Sequence, residues 1–350
     1  MANPYFDPNY QPYTPSVLVG TAIFFIIISI VAVAVRFYAR WISMANLGPD
    51  DWLIIPSLFI CIGLSVIQII ATTEGGMGTH KTTVDGKFVH TTTIRVYAET
   101  RYAYQVVGTL GLAIVKIVVL LYYRRIFSVR GFRVVNNIYL AVVGAWGIAF
   151  TLVLVFQCNP ISTLWDKFEF EYGPYCIQTL SFYLALAISD LIIDVAIFAL
   201  PIPFIWKLQL PWNQKLGVAG ILLLGSIVVV FGIVRTIVFQ FVIEFIMTEP
   251  EIYSADILWY HPGTLFWHLA ENVLALVCCC LPCYAPLFRE SLQNKSRATY
   301  PDRSGSNTNT RGYDNLSGRI SSLEDEEQLT NGRAGVVSRE EEYSMSNLHK

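Results

Sequence analysis

Five ionisable residues stand inside stretches that are otherwise almost wholly apolar: Lys116, Asp190, Asp194, Arg235 and Glu271. A charge in hydrocarbon costs several kcal/mol unless a partner or water compensates it. Such residues therefore pair with one another, line a wet cavity, or carry ions and protons. Asp190 and Asp194 are four apart, which stacks them on one face of a helix.

Catalytic patterns are missing. The chain has no HExxH, no nucleophile elbow, no Walker motif and no two CxxC motifs at metal-ligand spacing. Its five histidines, His80, His90, His261, His268 and His349, are scattered. His261 and His268 stand at a spacing that suits neither a helical pair nor a familiar zinc motif. No metal and no enzymatic activity are expected. The net charge of −2 gives no argument for a nucleic-acid partner.

The elements that must hold these charges are seven apolar runs, at about residues 15–38, 52–73, 97–123, 138–158, 180–205, 216–246 and 265–288. Each is at least the roughly 20 residues that a helix needs to cross a bilayer core. Charged residues make up 14% of the chain, against about 25% in soluble domains. The expectation is an all-α membrane protein: a seven-helix bundle over 15–289, a short segment 1–14 before it, and a disordered tail over 290–350. The tail is rich in Ser, Asn, Gly, Arg and Glu and cannot bury enough apolar surface to offset its ordering entropy. The first Lys or Arg is Arg36, so no basic region precedes the first run, and that run is expected to remain as a helix.

Loop charge gives an orientation. Arg36 and Arg40, then Arg124, Arg125, Arg130 and Arg133, then Lys207 and Lys215, fall on one side with the start of the tail. The other side holds fewer cations, diluted by carboxylates. The positive-inside rule therefore places the N-terminus outside (or in a lumen) and the C-terminus in the cytosol. The sequons at Asn294 and Asn315 are then expected to stay unused.

Depth follows at ~1.5 Å per helical residue. Lys116 and Asp194 fall at similar depth toward the cytosol, with Asp190 one turn farther out. Arg235 and Glu271 fall within about three turns of the outer surface. Two pairs are expected, Lys116–Asp194 inside and Arg235–Glu271 outside. They serve either as structural clamps or, for the outer pair together with Arg101, Tyr104, Trp267 and His268, as the polar lining of a cavity that takes a small molecule.

Cys158 and Cys176 flank the loop between the fourth and fifth spans, where an oxidising compartment permits a disulfide; two separate buried thiols are the alternative. Cys278, Cys279, Cys280 and Cys283 approach the cytosolic end of the last span as packing residues, with Cys283 as an acylation candidate. Asp50 and Asp51 follow Pro49 at the start of the second span. They suit a helix N-terminus, and could also dock on the basic loop 124–133. Arg124 and Arg125 suit either positive-inside anchoring or coupling to a cytosolic signalling partner.

The ordered motifs carry a family resemblance. Arg36-Phe37-Tyr38-Ala39-Arg40 with Asp50-Asp51-Trp52, Gly76-Met77-Gly78-Thr79-His80, and Lys116 with Tyr123-Arg124-Arg125-Ile126-Phe127 come first. Cys158-Asn159-Pro160 with Trp165 and Cys176, Asp194 with Leu200-Pro201-Ile202-Pro203, Lys207-Leu208-Gln209, Arg235, Glu271, and Leu281-Pro282 follow. Over roughly 17–289 the chain resembles the fungal rhodopsin-like domain proteins, also known as the satratoxin-cluster membrane protein family. The resemblance implies a rhodopsin-like bundle and a receptor-like role. A retinal Schiff base needs a lysine in the seventh span, and 265–288 contains none, so no retinal or other cofactor is expected.

The functional expectation is a receptor-like protein, in the plasma membrane rather than an internal one, that senses an unknown small molecule. A transporter or membrane accessory of a secondary-metabolite pathway, and a membrane-embedded enzyme, are the alternatives.

Overall fold

The computed structural model describes residues 13–44, 47–80, 92–127, 129–166, 175–207 and 212–284. The chain divides into units Met1–Ser291 and Leu292–Lys350, and every described residue lies in the first. The expectations for the tail, its sequons and the segment before residue 13 lie outside the described residues.

Seven helices among the described residues are long and apolar enough to cross a membrane. They are α1 (Pro15–Ile42), α2 (Pro49–Thr73), α3 (Thr92–Ile126), α4 (Arg130–Val155), α5 (Thr179–Ala199), α6 (Trp212–Thr248) and α7 (Pro262–Cys280). The protein is an all-α, multi-pass membrane protein. After Ala199, at Leu200-Pro201, the chain breaks before a short helix, Ile202–Lys207, because proline cannot donate to the helical ladder. Several helices begin earlier than the apolar runs suggest: α3 starts at Thr92 rather than 97, and α4 at Arg130 rather than 138. Polar turns at a span's end remain helical because their backbone groups still need partners.

The packing is inside-out relative to a soluble protein. Leu223, Ile227, Val230, Ile233 and Ile237 lie exposed along α6 at the three- and four-residue spacing of one helix face. Lipid solvates such a stripe, whereas in water it would be an aggregation surface. Several buried hydroxyls find their partner within their own helix. Ser57, Ser65 and Thr72 of α2 each donate to the carbonyl four residues back.

Around the bundle α1 packs on α2 and α7, α4 on α5, α5 on α6, and α6 on α7. α3 runs through the middle, against α2, α4, α5 and α7. Small residues let α3 approach its neighbours, as is usual for helices in lipid. A Cβ on Gly111 would meet Asn272 Oδ1 at 2.6 Å and Ile60 at 2.7 Å. A Cβ on Gly147 would stand 2.5 Å from that of Ala113. At the same end as the start of α7, the Gly76–His80 turn closes over the bundle. Gly78 has φ +86° and its N–H donates to Leu258 O at 2.8 Å. His80 stacks on Trp259 with ring centroids 3.8 Å apart. The spacing of that glycine motif thus encodes a left-handed turn.

Candidate functional site

Four helices converge their charged residues on one point. α3 contributes Lys116, α5 contributes Asp190 and Asp194, α6 Arg235 and α7 Glu271, all at most 7% exposed. Lys116 Nζ lies 3.2 Å from Asp190 Oδ1 and also pairs with Asp194. Arg235 Nη2 donates to Asp190 Oδ2 at 2.9 Å, and Nη1 pairs with Glu271. The expected partners do meet, but the expected separation into an inner and an outer pair is corrected. Asp190 bridges Lys116 and Arg235, so the two pairs are one network. The depth estimate failed for Glu271 because its span, Ile257–Tyr284, begins well before residue 265. Glu271 therefore falls near the middle of that span, and Arg235 near the middle of Leu222–Thr248.

The oxygens of Asp190, Asp194 and Glu271 lie within 4.8 Å of one another, the one such grouping among the described residues. An ammonium and a guanidinium already stand among them, which distinguishes the grouping from a cage of bare ligands.

Above this network lies a cavity of about 290 Å³. It extends from Leu164, Thr179 and Pro250, at the helix ends near the disulfide loop, to Thr109, Arg235 and His268 at mid-helix. Arg101, Arg235 and His268 line it as the sequence suggested. Tyr104, Trp267 and Glu271 do not, which corrects that part of the expectation. The Tyr104 hydroxyl donates to Leu265 O at 2.7 Å behind the wall. Trp267 Nε1 donates to the Tyr13 hydroxyl at 2.9 Å, one residue around the helix from His268. Glu271 sits behind Arg235.

Lining residues that sequence reasoning missed include Gln105, Gln157, Tyr183 and His261. The Tyr183 hydroxyl reaches Gln105 Oε1 at 2.6 Å and Gln157 Oε1 at 2.9 Å. The hydroxyl of Tyr97 and Nδ1 of His261 are 2.7 Å apart. A signal for Gln105 was available, since Arg101, Gln105 and Thr109 recur every four residues and make a polar stripe on α3. Gln157 and His261 precede a cysteine and a proline just beyond the ends of observed helices, where periodicity assigns no face, so only the fold brings them in. No carboxylate stands among the described lining residues.

A disulfide joins Cys158 and Cys176. Backbone pairing runs beside it, from Asn159 N to Tyr175 O at 2.9 Å and from Ile177 N to Gln157 O at 3.0 Å. This closure fixes Gln157 and Thr179 at the cavity mouth.

At the other end of the bundle the charges form a second cluster. Asp51 Oδ2 accepts from Gly48 N at 3.0 Å, so the helix-end role is present. It is only part of what these carboxylates do. Arg36 Nε donates to Asp51 Oδ1 at 2.9 Å, and Nη2 to Asp50 Oδ2 at 2.6 Å. Arg40 reaches both carboxylates at 3.3 Å, and Arg125 lies 3.2 Å from Asp51. Asp50 and Asp51 therefore dock on the end of α3 as well as on α1. Arg36, read from sequence as a loop residue, is fully buried inside α1, because Asp50 and Asp51 supply the partners its charge needs. Arg124 is exposed, with Asn137 Oδ1 at 3.4 Å. Cys283 is 7% exposed and lies 3.5 Å from Arg40 Nη2. That burial argues against its acylation in the folded bundle.

Comparison with known proteins agrees with this architecture. The model of the fungal rhodopsin domain family matches residues 35–290. A polyenoic acids biosynthesis gene cluster protein of Metarhizium anisopliae is 29% identical over 298 residues, 81% of this chain and 76% of that protein. A fugralins biosynthesis cluster protein of Gibberella zeae is 29% identical over 244 residues, covering 64% of this chain and 56% of that one. A satratoxin biosynthesis cluster protein of Stachybotrys chartarum is 24% identical over 189 residues, 53% of this chain and 62% of that protein.

Proposed function

The chain belongs to the fungal rhodopsin domain family, and from that premise we propose that it is a non-catalytic, receptor-like protein whose cavity takes an anionic, amphipathic small molecule. One observation carries this reading. The cavity brings the arginine side chains of Arg101 and Arg235 to a space whose walls are largely apolar, such as Leu186, Phe239 and Val242. A carboxylate with a hydrocarbon body matches both halves. A volume near 290 Å³ is at the small end of ligand sites.

Binding would act through Arg235. A ligand carboxylate at its guanidinium competes with Glu271, and so bears on α6, α7 and, through Asp190, on α3 and α5. Movement of α3 reaches Arg124 and Arg125 at the other end, the surface that a signalling partner would read. In this proposal the cavity faces the outside of the plasma membrane, as the loop charges suggest, and the Arg124 end faces the cytosol. Coupling is argued from the bundle by analogy, since a fold does not fix a function.

A second reading has its own support. The relatives are named as members of biosynthesis clusters, which favours a transporter or accessory that handles a pathway's product. Flux of the ligand across reconstituted vesicles would favour that role. Ligand-dependent recruitment of a cytosolic protein without flux would favour the receptor.

The binding test uses the purified chain in lipid nanodiscs, with a medium-chain unsaturated fatty acid and its methyl ester as probes. The acid is expected to raise the unfolding temperature and the ester to leave it unchanged. Arg101→Gln should weaken the acid tenfold or more, which corresponds to about 1.4 kcal/mol. Equal responses to acid and ester would remove the anion from the proposal.

A further inference from the structure

The central cluster sets two cations, Lys116 and Arg235, against three carboxylates, Asp190, Asp194 and Glu271. Fully ionised, it would hold one uncompensated negative charge in the middle of the bundle. Burying such a charge without a counter-charge is prohibitive. Four carboxylate oxygens of the cluster are buried without a hydrogen bond. Asp190 Oδ1 has Lys116 and Glu271 Oε2 has Arg235 as an ion-pair partner, which leaves Asp194 Oδ2 and Glu271 Oε1 with neither. Both face Gly232 of α6. A Cβ there would stand 3.0 Å from Glu271 Oε1 and 3.6 Å from Asp194 Oδ2. The absent side chain leaves both open oxygens beside the same small volume.

We propose that this volume is a proton-binding site, where one proton taken from water is held by the Asp194–Glu271 carboxyl pair. Protonating one oxygen creates an O–H donor and leaves the other oxygen to accept it. A single proton on either group cancels the excess charge, and the two carboxyl groups bring oxygens within 4.8 Å of each other, near enough to share it.

The surroundings give the proton a route. Lys116 and Asp194 line a second cavity of about 80 Å³, walled by Tyr122, Tyr123, Gly225 and Cys278. It approaches the cluster from the end opposite the large cavity, whose floor is Arg235 and His268. Asp194 is the one carboxylate of the three that lines either cavity, so exchange runs through the smaller one. The groups facing the pair are Lys116 from α3, Asp190 from α5 and Arg235 from α6. On α7, His268 stands one turn before Glu271, with Nε2 turned toward Gly108. The proposal stands whether or not the large cavity binds an anion.

Infrared absorption of the full chain in nanodiscs at neutral pH tests this directly. A protonated-carboxyl band that shifts in D2O is expected. It should vanish in Glu271→Gln and in Asp194→Asn, because either change removes the excess charge. Gly232→Ala keeps every titratable group and should shift the band without abolishing it, which covers the case where the other variants fold poorly. Absence of the band in the unmodified chain, or its persistence in both amide variants, would overturn the proposal. So would stabilisation by Na+ at constant ionic strength that those variants lose, since the compensating charge would then be a metal cation.

Discussion

Arg36 Nε donates to Asp51 Oδ1 across 2.9 Å, and neither residue is more than 1% exposed. The contact ties α1 to α2. A second bond from Arg36, Nη1 to Cys279 O at 2.7 Å, adds the end of α7. Arg125 joins α3 to the same carboxylates, so four helices meet at this point.

Arg36→Leu leaves two buried carboxylates short of a partner, and should lower stability by about 3–5 kcal/mol. Arg36→Lys restores the charge but not the planar fork, and should recover only part of the loss. Unfolding of the purified protein in a detergent series measures both. A loss below 1 kcal/mol for the leucine variant would show that Arg40 and Arg125 suffice.

Exchanging Arg235 and Glu271 should fail to restore folding. A simple pair would tolerate the swap, but Asp190 Oδ2 stands 2.9 Å from Arg235 Nη2, and the swap would set a carboxylate against it. The exchange should be at least as damaging as Arg235→Gln alone. Full rescue of expression and thermal stability would mean that Asp190 does not share the guanidinium.

Gly108→Ala should disturb the cavity more than the fold. The added Cβ would lie 2.5 Å from His268 Nε2, and the imidazole must turn away from the cavity floor. Overpacking of this kind costs about 1–3 kcal/mol, while ligand-induced thermal stabilisation should disappear. Unchanged ligand response would show that His268 has no part in binding.

Replacing Cys158 and Cys176 by serine should cost about 3 kcal/mol, the chain-entropy value for a loop of this length, and should loosen the cavity mouth at Gln157 and Thr179. Thermal unfolding with and without reductant checks it. The reduced protein and the double variant should unfold at the same temperature.

Cys283 should resist a membrane-permeant maleimide in the folded protein and react once detergent unfolds it, given its 7% exposure. Rapid labelling of the native state would reopen acylation there.

The seven helices and the membrane as their solvent were legible because each needs only a local property, a run of apolar residues long enough to span hydrocarbon. The disulfide partners were legible for a similar reason, since few cysteines flank that loop. Of the cavity, Arg101, Arg235 and His268 were within reach, and Gln105 would have been, because helical periodicity places residues on a shared face. What sequence could not decide was which faces turn toward each other. Trp267 and His268 are adjacent in the chain, yet rotation of about 100° per residue sends one to Tyr13 and the other to the cavity. Asp190 bridges Lys116 and Arg235, and Arg36 closes on Asp50 and Asp51, because of the rotation and depth of whole helices. Those are set by close packing at positions such as Gly111 and Gly147, through contacts between residues far apart in the chain, and no local pattern carries that information.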